Sequence, residues 1–156
     1  MNIGLSENSR EGVGTLLNKL LADEFVLYTQ TLNYHWNVTG PQFNDLHKFF
    51  NSQYEELLEV VDSVAERVRT LGSIAQGALK QITKLARVHE ASSNTDKSRV
   101  MIINLLKMHE SIIGYLRKDL VICDKDFGDA GTSDFLTGLM EKHEKMAWML
   151  RSFLSE

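Results

Sequence analysis

Four long stretches of this chain repeat apolar residues at three- and four-residue steps, and very little interrupts them. One proline, Pro41, stands in 156 residues. A chain so sparsely punctuated has few places to turn, and no window alternates apolar and polar residues as a half-buried strand does. The first stretch covers about residues 8–37 and carries Leu16, Leu17, Leu20, Leu21, Phe25, Leu27, Tyr28 and Leu32. Asn8 with Glu11 is read as its capping box. Val38-Thr39-Gly40-Pro41 breaks it, with Pro41 placed in the first turn of the next helix. That second helix covers about residues 41–71 and stops at Gly72, carrying Phe43, Leu46, Phe50, Leu57, Val61 and Val68. Residues 73–94 are weaker; 76–85 reads as a short helix, and Ser92-Ser93-Asn94-Thr95 as a loop and cap. A third helix is expected over about 96–124, and a fourth, capped by Thr132, to about residue 153.

The links after the first and third helices are short, so each joins an antiparallel pair. The link between the second and third is long enough to cross the bundle. The fold class is therefore all-α, a four-helix bundle with a short helix in the long connection. Residues 1–156 form one domain, with 1–8 as a short N-terminal tail. The composition agrees: 43% hydrophobic and 24% charged residues belong to a globular chain. One cysteine excludes an internal disulfide framework and a thiolate zinc cluster, and fits a reducing cytosol. A net charge of -4 argues against gripping nucleic acid with the whole surface. The N-terminus has no basic-then-apolar signal and no apolar run spans a membrane, so a cytoplasmic location with no membrane partner is expected.

Five histidines are present, at positions 35, 47, 89, 109 and 143. His35 ends the first helix and His47 lies in the second turn of the next, where an antiparallel hairpin brings such positions close. Further along the second helix, Asp62 and Glu66 are one turn apart on one face. Two carboxylates there repel unless a positive charge sits between them. Imidazole with carboxylate suits Fe, Zn or Mn rather than Ca or Mg. Each piece also has a plain structural use, the histidines as hydrogen-bonded helix-end residues and the carboxylates as a solvated face. His47 and Asp62 stand 15 residues apart in one helix, about 22 Å of rise, so one chain cannot close them on one ion. A two-fold axis crossing the second helix near Tyr54 and Glu55 changes that. It carries the mate's Asp62 and Glu66 towards His35 and His47, and the dimer then holds two identical sites.

The run His35-Trp-Asn-Val-Thr-Gly-Pro-Gln-Phe-Asn-Asp-Leu-His47, followed by Asp62-Ser-Val-Ala-Glu-Arg-Val68, closely resembles the Dps family of mini-ferritins. The resemblance continues through Gly131–Leu154 and so covers nearly the whole chain. It implies a ferritin-like subunit in a dodecameric shell that oxidises Fe(II), usually with hydrogen peroxide, and stores the ferric product. It implies that His35 and His47 from one subunit and Asp62 and Glu66 from its partner are the catalytic metal ligands; Zn or Mn are expected as substitute ions because imidazole and carboxylate do not exclude them. Trp36 resembles a family position packed near that site. The family lines a three-fold pore from the region that here holds Asp119, Asp124, Asp126, Asp129 and Asp134. Asp124, Asp129 and Asp134 are the pore candidates, with a helix start as the alternative use of Asp134.

Three other readings compete, one of them a purely structural or ligand-binding bundle that has lost the chemistry, against which the intact His35, His47, Asp62 and Glu66 argue. Ferritins and bacterioferritins place Glu-x-x-His pairs inside one subunit, and no Glu here has a His three residues later. A nucleoid protein coating DNA is the alternative function, with the nucleoid as its location. The N-terminal tail has Arg10 but also Glu7 and Glu11, and no Lys before Lys19. Lys80, Lys84, Arg87, Lys97 and Arg99 cluster around the middle connection, with Glu90 and Asp96 nearby. Weak or absent DNA binding at physiological salt is expected. Met146, two before Trp148, stands where several relatives carry His. Cys123 is expected to be an inert thiol, His89 exposed, and His109 and His143 core or interface residues.

Overall fold

The computed structural model describes residues 1–91, Thr95 and 97–154. Among these it has five helices: α1 (Glu7–Asn37), α2 (Phe43–Thr70), α3 (Leu79–Leu85), α4 (Ser98–Lys125) and α5 (Ala130–Ser152). The expected loop and cap at 92–95 and the expected helix start at Asp96 lie almost wholly outside the described residues.

The boundaries follow from local chemistry, with three corrections. Ser6, not Asn8, caps α1: its Oγ accepts the Ser9 N–H at 3.1 Å, and Asn8 lies inside the helix. Pro41 stays outside α2. Gly40, at φ +105°, turns the chain, and the Phe43 N–H closes the turn on the Gly40 carbonyl at 3.0 Å. Asp129, not Thr132, caps α5, accepting the Thr132 N–H at 2.9 Å. The expected stop at Gly72 is present in full. The Gly72 N–H reaches the Arg69 carbonyl and the Ser73 N–H the Val68 carbonyl, with Gly72 at φ +87°.

Side-chain contacts set the directions. Tyr34, late in α1, takes a hydrogen bond from Asn104, early in α4. Asp23, earlier in α1, is tied through Arg87 to Asp119, late in α4. α1 and α4 therefore run antiparallel. Arg67 meets Asp129 while Gln53 meets the Met146 carbonyl, so α2 and α5 are antiparallel too. Each hairpin, α1–α2 and α4–α5, is antiparallel internally, which leaves α2 and α4 parallel. Parallel helices joined in sequence need a crossover, and the segment from Leu71 to Lys97 supplies it. It has to recover the length of the 28-residue α2, about 42 Å. α3 lies on that crossover and packs on α1, with Ile82 buried. Arg87 pins its far end. The guanidinium bridges Asp23 at 2.8 Å and Asp119 at 2.7 Å and lies 4.3 Å above the Tyr115 ring.

The core is the continuous seam between the four long helices. Leu17, Leu20, Leu27, Phe50, Leu57, Met101, Leu105, Ile112, Leu116 and Leu150 are all buried in it. α1 also approaches the α4–α5 turn closely. A Cβ on Gly12 would stand 2.3 Å from the Phe127 ring, so any larger residue there has to push the ring aside.

Candidate metal centre

Two imidazoles meet where the first hairpin turns. His35 lies in the last turn of α1 and His47 in the second turn of α2. Their rings stack with centroids 3.9 Å apart and 21° from parallel. His35 Nδ1 is 2.9 Å from the His47 carbonyl oxygen, and His47 Nδ1 is 2.9 Å from the His35 carbonyl oxygen. A carbonyl only accepts, so each Nδ1 carries the hydrogen. In a neutral imidazole this leaves Nε2 with a free lone pair. The reciprocal bonds thus fix both tautomers and both ring orientations, as the outer hydrogen bond of a ligating histidine does.

Two further rings complete the arrangement. Phe43 stacks on His47 at 5.1 Å, and Tyr54 meets His35 edge-on at 5.2 Å, its hydroxyl bonded to Asn51 at 2.8 Å. Neither stood out from the sequence as a site residue. The available signal was spacing, since Phe43 is four residues before His47 and Tyr54 two turns after it on the same helix.

Asp62 and Glu66 stand elsewhere. Both are exposed on the outer face of α2, about 22 Å along the helix from His47 in the case of Asp62. Among the described residues no three His, Cys, Asp or Glu side chains converge as metal ligands. One chain offers an imidazole pair at the hairpin and a carboxylate pair four turns further on, and does not join them. Three large apolar side chains are exposed at the hairpin and along α2. Trp36 is 67% exposed, Leu58 50% and Phe43 47%, and Leu58 shares its face with Asp62 one turn later.

The aspartates expected at a pore divide in two. Asp124 is half-buried at the end of α4 and pairs with Lys125 at 2.8 Å; Asp134 is exposed in α5. Asp129 is buried, with its carboxylate used inside the chain by the α5 cap and by Arg67 at 3.2 Å. Asp119, from the same acidic stretch, is likewise taken by Arg87. Arg87 is correspondingly no free surface cation. Cys123 is fully buried and its thiol is pushed up to about 12 by burial, with Asp129 and Asp119 adding to the effect, which fits an inert thiol. His89 is exposed, while His109 and His143 are both fully buried.

Known proteins share both the sequence and this architecture. The ferritin-like domain family matches residues 14–156. An uncharacterized low temperature-induced protein of Nostoc sp. is 46% identical over 99% of this chain and 86% of its own length. DNA protection during starvation protein 2 of Bacillus anthracis is 36% identical over 90% of this chain and 95% of its own. The crystal structure of the Dps protein from Vibrio cholerae O1, described as a member of a broad superfamily of ferritin-like diiron-carboxylate proteins, superposes with a TM-score of 0.91. It is 30% identical and covers 99% of this chain and 97% of its own. Likeness over nearly the full length, at these identities and with the same bundle and crossover, makes this chain a member of the Dps family of ferritin-like proteins.

Proposed function

We propose that this chain is the subunit of a mini-ferritin shell that oxidises Fe(II), preferentially with hydrogen peroxide, and stores the ferric product, protecting against oxidative damage. The observation that carries this reading is the reciprocal bonding of His35 and His47, which holds two Nε2 lone pairs ready on a surface that also offers Asp62 and Glu66. A second copy, related by a two-fold axis near Tyr54 and Glu55, brings its Asp62 and Glu66 to the first copy's imidazoles and covers Leu58 and Trp36. Twelve such subunits enclose the store.

In this reading Fe(II) is the substrate. The imidazoles bind it, and the carboxylates favour the more highly charged ferric product. Two ferrous ions each give one electron to one peroxide; its O–O bond breaks, two protons are taken up and two waters form, so no hydroxyl radical is released. Zn(II) and Mn(II) compete for the same nitrogen and oxygen ligands. Asp124 and Asp134 draw cations to the shell's entry.

The direct test is anaerobic. Protein loaded with Fe(II) receives limiting hydrogen peroxide and is passed through gel filtration. Ferric iron co-eluting with a shell of about twelve subunits is the expected result. Iron that precipitates at the protein-free rate, with none co-eluting, overturns the proposal.

A further inference from the structure

The centre of the bundle holds a second group of titratable side chains, unconnected with the hairpin site. Glu24 of α1, His109 of α4 and His143 of α5 are each completely buried. Glu24 Oε1 lies 2.9 Å from His143 Nε2, and His143 Nδ1 lies 2.9 Å from His109 Nδ1. Glu24 and His109 thus sit at opposite edges of the His143 ring. The three form a chain and do not converge on a point, so they are arranged to pass or share protons and not to chelate an ion. Glu24 Oε2 and His109 Nε2 have no hydrogen-bond partner among the described residues.

Few other buried groups on the four long helices titrate. The buried residues of α2 include no titratable group. Those of α5 include only His143. On α1 and α4 the other buried acids, Asp23 and Asp119, are held by Arg87, Tyr34 is bonded to Asn104, and Cys123 keeps its proton.

Proton counting then constrains the chain. One proton bridges Glu24 Oε1 and His143 Nε2 across 2.9 Å. Between the two Nδ1 atoms there is room for one proton. If both imidazoles are charged, two N–H groups face each other across 2.9 Å, and the contact has to open.

We propose that Glu24, His143 and His109 form an acid-sensitive lock, a buried chain that ties α1 and α4 to α5 while one proton lies between the two imidazoles and parts when acid charges both. Burial, with the neighbouring His143 adding to it, holds His109 well below the ordinary histidine value. The sign follows. The unfolded chain binds a proton at position 109 below about pH 6.5 and the folded chain does not, so the lock is complete above that pH and weakens as pH falls. For this one group the unfolding constant rises up to about tenfold per pH unit.

The test compares guanidinium unfolding midpoints, followed by helical circular dichroism, at about pH 7.5 and about pH 5.5, either side of the ordinary histidine value. The full chain is compared with His109→Asn, which keeps an N–H donor near the place of Nδ1, and His109→Phe, which keeps the volume. His89→Asn, at an exposed site, is the control. The expected result is a fall in midpoint on acidification that is clearly smaller in both His109 variants and unchanged in the control. A purely structural role for His109 lowers the midpoint equally at both pH values. That result, or an equal acid-induced fall in all four proteins, overturns the proposal. So does a Zn(II)-dependent rise in the midpoint that is lost on replacing His109, because an ion and not a proton then occupies the chain. Should one variant fail to fold, the other decides.

Discussion

At the scale of single residues, the most informative atoms are the four ring nitrogens at the hairpin. Each Nδ1 is occupied by the other residue's carbonyl, which leaves Nε2 as the atom available to a ligand. This separates orientation from ligation and allows the two to be tested apart. The double change His35→Asn with His47→Asn keeps an N–H near each Nδ1 position and removes both Nε2 atoms. The expected outcome is a folded shell whose melting temperature moves by only a few degrees, while Zn(II) affinity measured by calorimetry falls by more than about 100-fold. Undiminished affinity would place the site elsewhere. The same scale governs the buried histidine. If a proton is excluded from His109, we expect denaturant titrations to show stability falling by up to about 1.4 kcal/mol per unit below about pH 6.5, with no such contribution above it.

At the scale of elements, the first part of the crossover, through α3 to Val88, leans on one residue. α3 is seven residues long, too short to be stable alone. Arg87 ties the segment to α1 through Asp23 and to α4 through Asp119, with both carboxylates buried and the guanidinium largely so. Burial pushes the Asp23 carboxyl above its ordinary range against the pull of Arg87, so the charge is tolerated only because its partner is present. Arg87→Met leaves two buried acids unpaired, and we expect a loss of about 3–5 kcal/mol in chemical denaturation. A loss below about 1 kcal/mol would mean that the pair merely balances its own desolvation and the crossover is held by packing. The corrected helix starts belong to this scale too. At the start of α5, Asp129 and Thr132 are both capping residue types; Asp129 accepts the Thr132 N–H, and Arg67, from a different helix, bonds both side chains.

At the scale of the whole molecule, the exposed face of α2 links assembly to chemistry. Leu58 lies between the imidazole and carboxylate pairs along α2 and is half exposed, and Trp36 and Phe43 are exposed at the hairpin end. If the site needs two copies, breaking this face abolishes activity while leaving His35 and His47 intact. Leu58→Glu puts like charge beside Asp62 at the proposed two-fold contact. We expect light scattering to report species smaller than the wild-type shell and Fe(II) oxidation to fall to the protein-free rate. Full activity in a dissociated subunit would contradict the shared site.

The amino-acid sequence by itself determined the four long helices, the antiparallel hairpins, the crossover and the chemical types of the candidate ligands. Each of these depends on short-range periodicity, on a glycine or proline at a break, or on side chains a few positions apart. The 15-residue separation of His47 from Asp62 even ruled out a site closed within one chain, because helix rise is fixed by the backbone. What the tertiary structure decided depends on partners far apart in sequence. Arg87 reads as one member of a basic cluster until Asp23 and Asp119, 64 and 32 positions away, are brought against it. Glu24 and His143 are 119 positions apart, and nothing in their local spacing relates them. The locked tautomers of His35 and His47 were equally hidden, because the bonds that fix them run to backbone carbonyls, and any residue has one.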